Sequence, residues 1–188
     1  TVTTNNAEYD ENLKVFKTIG YTKVTTSENY IIEGEDIVID KKNNSIFSEK
    51  KTKIIDKDNN IINLENFNYQ KENEIFKSIG LIEIEDKFKN SYKFSQIYID
   101  TKNGEILGSD VSAYLNNEEF KIDKKNDPRI MANTFAISKD KSTFKKSVFT
   151  MCGYRSNKKN EDLCPPWTIQ ASQMLHDSKK KTIYYDNA

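Results

Sequence analysis

Apolar and polar residues alternate along most of this chain in short runs, and turn-forming residues separate the runs. Ile82 and Ile84 flank one polar residue, as do Phe67 and Tyr69, so each pair places its apolar side chains on one face of a strand. Clusters of Lys, Asn, Asp and Gly follow about every ten to fifteen residues, which is typical of strands joined by turns. No stretch shows the periodicity of an amphipathic helix of three turns. The pattern predicts an all-β fold.

One strand–turn–strand pattern occurs three times. It reads EDIVIDKKNNSI at residues 35–46, SQIYIDTKNGEI at 95–106 and SQMLHDSKKKTI at 172–183. Each copy has an apolar run, an Asp, a polar turn and a new apolar start, which predicts a hairpin.

The repeat extends beyond the hairpins, since FKTIG at residues 16–20 returns sixty positions later as FKSIG. Over residues 16–46, ten of the 31 positions are identical to their partners sixty residues on. Fixed-period similarity indicates a stack in which neighbouring units bury their apolar faces together. We therefore predict a β-jellyroll, or folded β-taco, of stacked antiparallel hairpins, with repeats near residues 16–55, 76–115 and 167–188. If the stack is open along one side, its interior is a hydrophobic groove.

Twelve apolar residues are predicted to line this groove. The face of the sheet on which each of these side chains lies depends on strand register, because a shift of one residue turns every side chain to the other face. The alternative is a structural β-solenoid or adhesin-like stalk whose interior is sealed. The predicted lining residues are Ile37, Ile39, Ile82, Ile84, Phe94, Ile97, Ile99, Phe135, Ile137, Phe149, Trp167 and Ile169.

Charge and composition narrow the classes of partner. The 29 basic and 29 acidic residues cancel, whereas a duplex-binding protein needs a basic face to neutralise phosphates. We therefore expect no nucleic-acid partner, and we assign the many lysines to solvated strand faces. No stretch approaches the roughly 20 apolar residues that a membrane-spanning helix requires.

Residues with catalytic potential are sparse, and we expect no enzyme and no cofactor. The single histidine, His176, occupies the position of Ile39 and Ile99 in the other repeats, which favours a residue on a strand face. Asp40 and Asp100 stand where a strand enters a turn, as does Asp177, so we expect them to cap their own backbone. A carbohydrate-active enzyme, the remaining alternative, would need two convergent carboxylates in a cleft.

Cys152 and Cys164 flank a polar segment of eleven residues, GYRSNKKNEDL. A disulfide closing this loop would stabilise the fold by about 3 kcal/mol in the chain-entropy model, and it would indicate an oxidising compartment. A reduced buried pair is the alternative. Two Cys and one His are too few ligands for a structural zinc site, so we expect no metal. Pro165 and Pro166 predict a strand entrance, with Trp167 turned inward.

The C-terminal run CPPWTIQASQMLHDSKKKTIYYDNA, residues 164–188, resembles the segment that closes the periplasmic domain in the family of the LPS-assembly protein LptD, also called OstA, of alphaproteobacteria. Other similar runs are YIIEGEDIVIDKKNNSI at 30–46, LENFNY at 64–69, FSQIYID at 94–100 and DPRIMAN at 127–133. The resemblance covers nearly the whole chain and is most specific at its C-terminal end.

The resemblance implies one OstA-like periplasmic domain over residues 1–188, without the outer-membrane barrel that follows it in the family. It implies a jellyroll at the periplasmic face of the outer membrane that binds the acyl chains of lipopolysaccharide. The implied partners are a periplasmic bridge protein, docked by edge-strand addition, the protein's own barrel and a plug lipoprotein. Smaller bridge and anchor proteins of the same transport system fit the repeats too. In some family members disulfides join this domain to the barrel, which leaves the pairing of Cys152 and Cys164 open.

Overall fold

The computed structural model describes an antiparallel β-fold of fifteen strands. The residues it describes are 1–27, 29–116, 128–138, 141–150, 168–177, 179–180 and 182–188. These ranges contain no helix, and therefore none that could cross a membrane. The prediction of an all-β stack of antiparallel hairpins is confirmed.

The strands are β1 (Val2–Asp10), β2 (Val15–Thr25), β3 (Ile31–Glu35), β4 (Val38–Asp40), β5 (Ser45–Ser48), β6 (Thr52–Ile55), β7 (Ile61–Leu64), β8 (Phe67–Gln70), β9 (Ile75–Glu85), β10 (Ser91–Asp100), β11 (Glu105–Tyr114), β12 (Arg129–Ser138), β13 (Lys141–Thr150), β14 (Thr168–Asp177) and β15 (Thr182–Asp186).

The strands form one continuous ladder in which neighbours in sequence are neighbours in space. From β9 to β15 each strand pairs with the next, and β1 pairs with β2 at the opposite end. Between them, three pairs of short strands each act as one interrupted strand: β2 pairs with β4 through Val15–Lys17 and with β3 through Tyr21–Thr25. We call each passage of the chain across the sheet a rung, so that β3 with β4, β5 with β6, and β7 with β8 each make one rung.

From β1 to β10 the rungs follow a period of thirty residues, and beyond β10 the strand ends on the same side, Ser138 and Asp177, are more widely spaced. Strands end at Asp10, Asp40, Gln70 and Asp100, and the turns after them lie along one side of the stack, the first rim. The turns on the opposite side form the second rim. Thirty residues therefore make two rungs, and the identity seen at sixty positions relates rungs four apart. All three predicted hairpins are present, as β4–β5, β10–β11 and β14–β15.

Each rung is bent near its middle, and this bend folds the sheet over a single interior. In β10, Phe94 and Ile97 are both buried although they are three residues apart, because a bulge between Phe94 and Gln96 reverses the alternation. β2 and β9 bend instead at Gly20 and Gly80, whose positive φ angles of 76° and 109° favour glycine. The bends let residues on both arms of one strand face the same core.

The aspartates at the first rim cap their own turns, as expected. Asp40 accepts hydrogen bonds from the backbone N–H of Lys42 and Asn43, and Asp100 accepts one from Asn103. The hydrogen bond from the backbone of Asn43 is the main cause that lowers the pKa of Asp40 below its ordinary value, and Asn103 does the same for Asp100.

These capped turns predict an acid-dependent loss of stability. A carboxylate whose pKa is lowered by folding stabilises the fold above its unfolded pKa, and this stability is lost as the pH falls through the folded pKa. We expect the double variant Asp40→Ser, Asp100→Ser to be less stable at pH 7 and to show a flatter decline below about pH 4. Urea unfolding at several pH values measures this. Parallel pH profiles for wild type and variant would contradict it.

Candidate binding cleft

Inward side chains line up across the rungs in rows, because directly paired residues point to the same face of a sheet. Near the first rim the cross-strand pairs join Phe16 to Ile39, Ile39 to Ile46, and so on along the whole ladder. The row consists of aliphatic and aromatic side chains, with one tyrosine, except at two neighbouring polar positions towards its C-terminal end. Its members are Phe16, Ile39, Ile46, Tyr69, Phe76, Ile99, Ile106, Ile137, Ser142, His176 and Ile183.

A second row runs parallel to the first near the second rim. It begins at Val24, passes through the isoleucines of β3, β6, β7 and β9, and ends on β14. This row also carries apolar side chains or alanine, with one tyrosine. Its members are Val24, Ile32, Ile54, Ile62, Ile84, Tyr92, Ala113, Ile130, Phe149 and Ile169.

Between the two rows lies a cleft of about 540 Å³. It occupies only the rungs from β9 to β15, a span of about 29 Å for six spacings between adjacent strands. Every residue that lines it lies at position 84 or later. The lining is Ile84, Asn90, Tyr92, Phe94, Ile97, Ile106, Ala113, Leu115, Pro128, Ile130, Phe135, Ile137, Ser142, Phe144, Phe149, Met174, His176 and Ile183.

Three phenylalanines, on β10, β12 and β13, form the aromatic wall of the cleft. The ring of Phe135 lies 5.8 Å from that of Phe94 and 4.8 Å from that of Phe144, measured between centroids, with the planes tilted. Gly108 lies beneath this cluster, and a Cβ atom there would come within 2.6 Å of the Phe94 ring. Because Gly108 has no side chain, the Phe94 ring can occupy this space.

The N-terminal rungs enclose a sealed core instead. Ile37 is 0 % exposed, as is Ile82 on β9, the rung at which this core meets the cleft. Small hydroxyl side chains occupy the bends: Thr18 Oγ1 donates to the carbonyl of Ile37, and Ser78 Oγ donates to that of Asn66. These bonds tie adjacent rungs together at the fold of the sheet and satisfy buried polar groups. One half of the stack is thus closed and the other carries the cleft.

The structure divides the twelve residues predicted to line the groove. Six of them are in the wall of the cleft: Ile84, Phe94, Ile97, Phe135, Ile137 and Phe149.

The other six lie elsewhere. Ile37 and Ile82 are fully buried and take no part in the wall, and Ile99 packs against the core. Ile39 and Ile169 are half-buried members of the two rows. Trp167 lies outside the described residues, as do both cysteines, Cys152 and Cys164.

Several lining residues were not predicted from the sequence. Phe144 and Phe149 are five residues apart on β13, so strict alternation would put them on opposite faces, but a positive φ of 49° at Lys146 between them shifts the alternation and places both in the cleft wall. Phe144 was missed for this reason. His176 was assigned to a strand face, and the structure places it in the wall of the cleft.

The turn aspartates and the outward lysines make the contacts that the sequence predicts. Asp177 accepts a hydrogen bond from the backbone of Lys180, so all three turn aspartates are engaged in capping. No group of three or more metal-ligating side chains occurs in the described part of the chain. On the outer face Lys93 and Lys23 pair with Glu83 and Glu33 across neighbouring strands, which agrees with lysines on solvated strand faces.

Comparison with solved structures shows a similar fold. A matching solved structure is the crystal structure of LptH, the LptA homologous periplasmic component of the conserved lipopolysaccharide transport device from Pseudomonas aeruginosa. It is 18 % identical, the match covers 56 % of this chain and 78 % of that chain, and the TM-score is 0.49. No family model and no curated protein matches this chain. A function therefore has to be inferred from the cleft and the sequence of the chain itself.

Proposed function

We propose that this chain binds acyl chains of lipopolysaccharide in the cleft between β9 and β15 and takes part in lipopolysaccharide transport and outer-membrane assembly. The observation that carries the proposal is the cleft itself, which is open, elongated and lined by aliphatic and aromatic side chains. The resemblance of residues 164–188 to the LptD family supports the choice of lipid. The cleft and the resemblance together favour a role without catalysis at the periplasmic face of the outer membrane.

The rows of similar side chains would allow a bound acyl chain to move along the stack from one rung to the next. Burying one methylene contributes about 0.8 kcal/mol, so several acyl chains held in one tight pocket would leave very slowly. Along the first row the side chains at successive rungs are alike, as with Ile99, Ile106 and Ile137. A chain that shifts by one rung exchanges one apolar contact for a similar one. The cleft volume is in the range of small-ligand pockets, so several acyl chains require the two arms to separate.

Two ends of the sheet are available for partners. β1 pairs only with β2, and β15 pairs only with β14 among the described strands. An edge strand presents unpaired N–H and C=O groups to another chain. We propose that a periplasmic bridge protein docks on one edge and that lipid passes from the cleft to an outer-membrane barrel with its plug lipoprotein.

Lipid contact can be tested directly. We expect a photo-crosslinker at Ile97, in the cleft wall, to label lipopolysaccharide strongly, and the same group at Lys102, on an exposed turn of the first rim, to label it weakly. Native mass spectrometry of the chain purified from a Gram-negative envelope should detect bound lipid A. Equal labelling at both positions would refute the assignment of the cleft.

A structural stalk is the second candidate, and the sealed N-terminal half favours it. Ile37 and Ile82 pack into a closed core there, as expected for a solenoid. The two candidates differ in the cleft, which a stalk does not need. A chain that carries no lipid and gains none when incubated with lipid A micelles would support the stalk.

A further inference from the structure

The first row contains one polar pair at the C-terminal end of the cleft. Ser142 on β13 lies directly opposite His176 on β14, and both line the cleft. Their neighbours in the row, Ile137 and Ile183, are apolar. At the position of His176 the other two hairpins carry isoleucine, so the polar pair distinguishes this end of the cleft from the rest of the row.

Four side chains in the wall carry groups able to hydrogen-bond a ligand, and two of them are already engaged. Asn90 donates to Asp86 and accepts from the backbone N–H of Asn116. The hydroxyl of Tyr92 donates to the same Asp86 carboxylate at 3.2 Å.

The other two are Ser142 and His176. Neither side chain forms a hydrogen bond to another group in the described ranges. A serine hydroxyl donates one proton, and an imidazole donates from one ring nitrogen even when neutral. This corner of an otherwise apolar cleft is therefore the place where a polar atom of a ligand finds free donors.

The charge around the pair favours an anion. The turn that follows His176 has the sequence DSKKK, and Lys179 and Lys180 are exposed there, as is Lys141 on the neighbouring strand. The carboxylate next to His176 in the chain, Asp177, is buried and accepts a hydrogen bond from the backbone of its own turn. Cationic side chains at the mouth of an apolar cleft attract negatively charged ligands.

We infer that Ser142 and His176 bind the anionic oxygen of an amphiphile headgroup, a phosphate or a carboxylate, while its acyl chain lies along Phe144, Phe135 and Phe94. The inference rests on the proposed function, since it assumes that an acyl chain occupies the cleft. It fixes the orientation of the ligand: the headgroup lies at the β13–β15 end of the first rim, and the chain points towards the sealed half.

The matched probes for this site are cis-parinaric acid and its methyl ester, which share one fluorescent acyl chain and differ in the charge of the head. We expect His176→Ile, which restores the residue of the other repeats, to bind the acid roughly tenfold more weakly, as for the loss of a hydrogen bond to a charged group. Its affinity for the ester should be unchanged. Ser142→Ala should reduce acid affinity in the same direction and to a smaller extent.

The control is Ile99→His, which places an imidazole in the same row between Phe76 and Ile106, away from Ser142 and the lysine-rich turn. It should leave the ratio of acid to ester affinity as in wild type. The inference would be overturned if Ile99→His raised the ratio of acid to ester affinity above that of wild type. It would also be overturned if His176→Ile weakened the binding of both probes equally. Wild-type protein that binds neither probe would instead refute the proposed function.

A second pair of ligands tests whether the bound anion is the phosphate that distinguishes two forms of lipid A. Bisphosphorylated lipid A and its monophosphoryl form differ in one phosphate, and competition with bound cis-parinaric acid ranks them. Preference for the bisphosphorylated form that is lost in His176→Ile assigns the site to a phosphate. Equal competition by both forms, together with the acid preference above, assigns it to a carboxylate or to the phosphate that the two forms share.

Discussion

Replacing Gly108 with leucine is expected to block the cleft and to weaken acyl-chain binding more than tenfold. A Cβ atom at this position lies 2.6 Å from Cδ1 and 2.8 Å from Cε1 of Phe94, so the ring has to move towards the cleft. The leucine side chain fills space beside it. Excluding two methylenes of a ligand, at about 0.8 kcal/mol each, accounts for a loss of this size. Titration with cis-parinaric acid measures the effect.

Ser112→Leu is the matched control for this variant. Ser112 lies on the same strand, β11, and faces the outside of the sheet between Lys93 and Met131. The added volume is similar and does not reach the cleft, so binding should be as in wild type. Thermal unfolding by circular dichroism shows whether both variants are folded. A folded Gly108→Leu protein with wild-type affinity would place the ligand outside this cleft.

Replacing Ile82 with alanine is expected to lower the free energy of unfolding by about 2–5 kcal/mol. Ile82 is 0 % exposed and lies on β9, the rung between the sealed N-terminal rungs and the cleft. Because Thr18, Ser48 and Ser78 tie the bends of these rungs by hydrogen bonds, we expect little collapse around the lost side chain. Urea unfolding followed by circular dichroism gives the value.

Ile79→Ala on the same strand provides the comparison. Its side chain is 66 % exposed on the outside of the bend, and surface substitutions of this kind change stability by about 0.5 kcal/mol or less. The two substitutions remove the same atoms three positions apart. Equal destabilisation by both would mean that the N-terminal half is open to solvent, and the division into a sealed half and a cleft would not hold.

Alternation and turn chemistry were sufficient to predict the strands and their antiparallel hairpins. Pairs such as Ile97 with Ile99 share a face because both lie on the same side of the bend in β10. The predicted pair Phe94 and Ile97 shares a face for a different reason, since a bulge between them offsets an odd spacing. Strict period-two reasoning would have separated these two residues.

The extent of the cleft could not be predicted from local patterns. Ile37 and Ile97 stand in equivalent hairpins sixty residues apart, yet one is sealed in the core and the other lines the cleft. The difference arises from the residues that face them from other rungs. Next to Ile37 are Thr18 and Ser48, which close the bend, whereas Ile97 is paired with Gly108 near the Phe94 ring. Such contacts depend on tertiary structure.

The thirty-residue period means that the sheet is built from units of two rungs. Each unit adds about 10 Å of sheet at the usual strand spacing. Strand ends at Gln70 and Asp100 mark one such unit, and both of its edges are ordinary antiparallel ladders. A duplicated copy of residues 75–104 would therefore fit between the existing copy and β11 without altering either end of the chain. Chains of this type can change the length of the stack in fixed steps, by gain or loss of whole units.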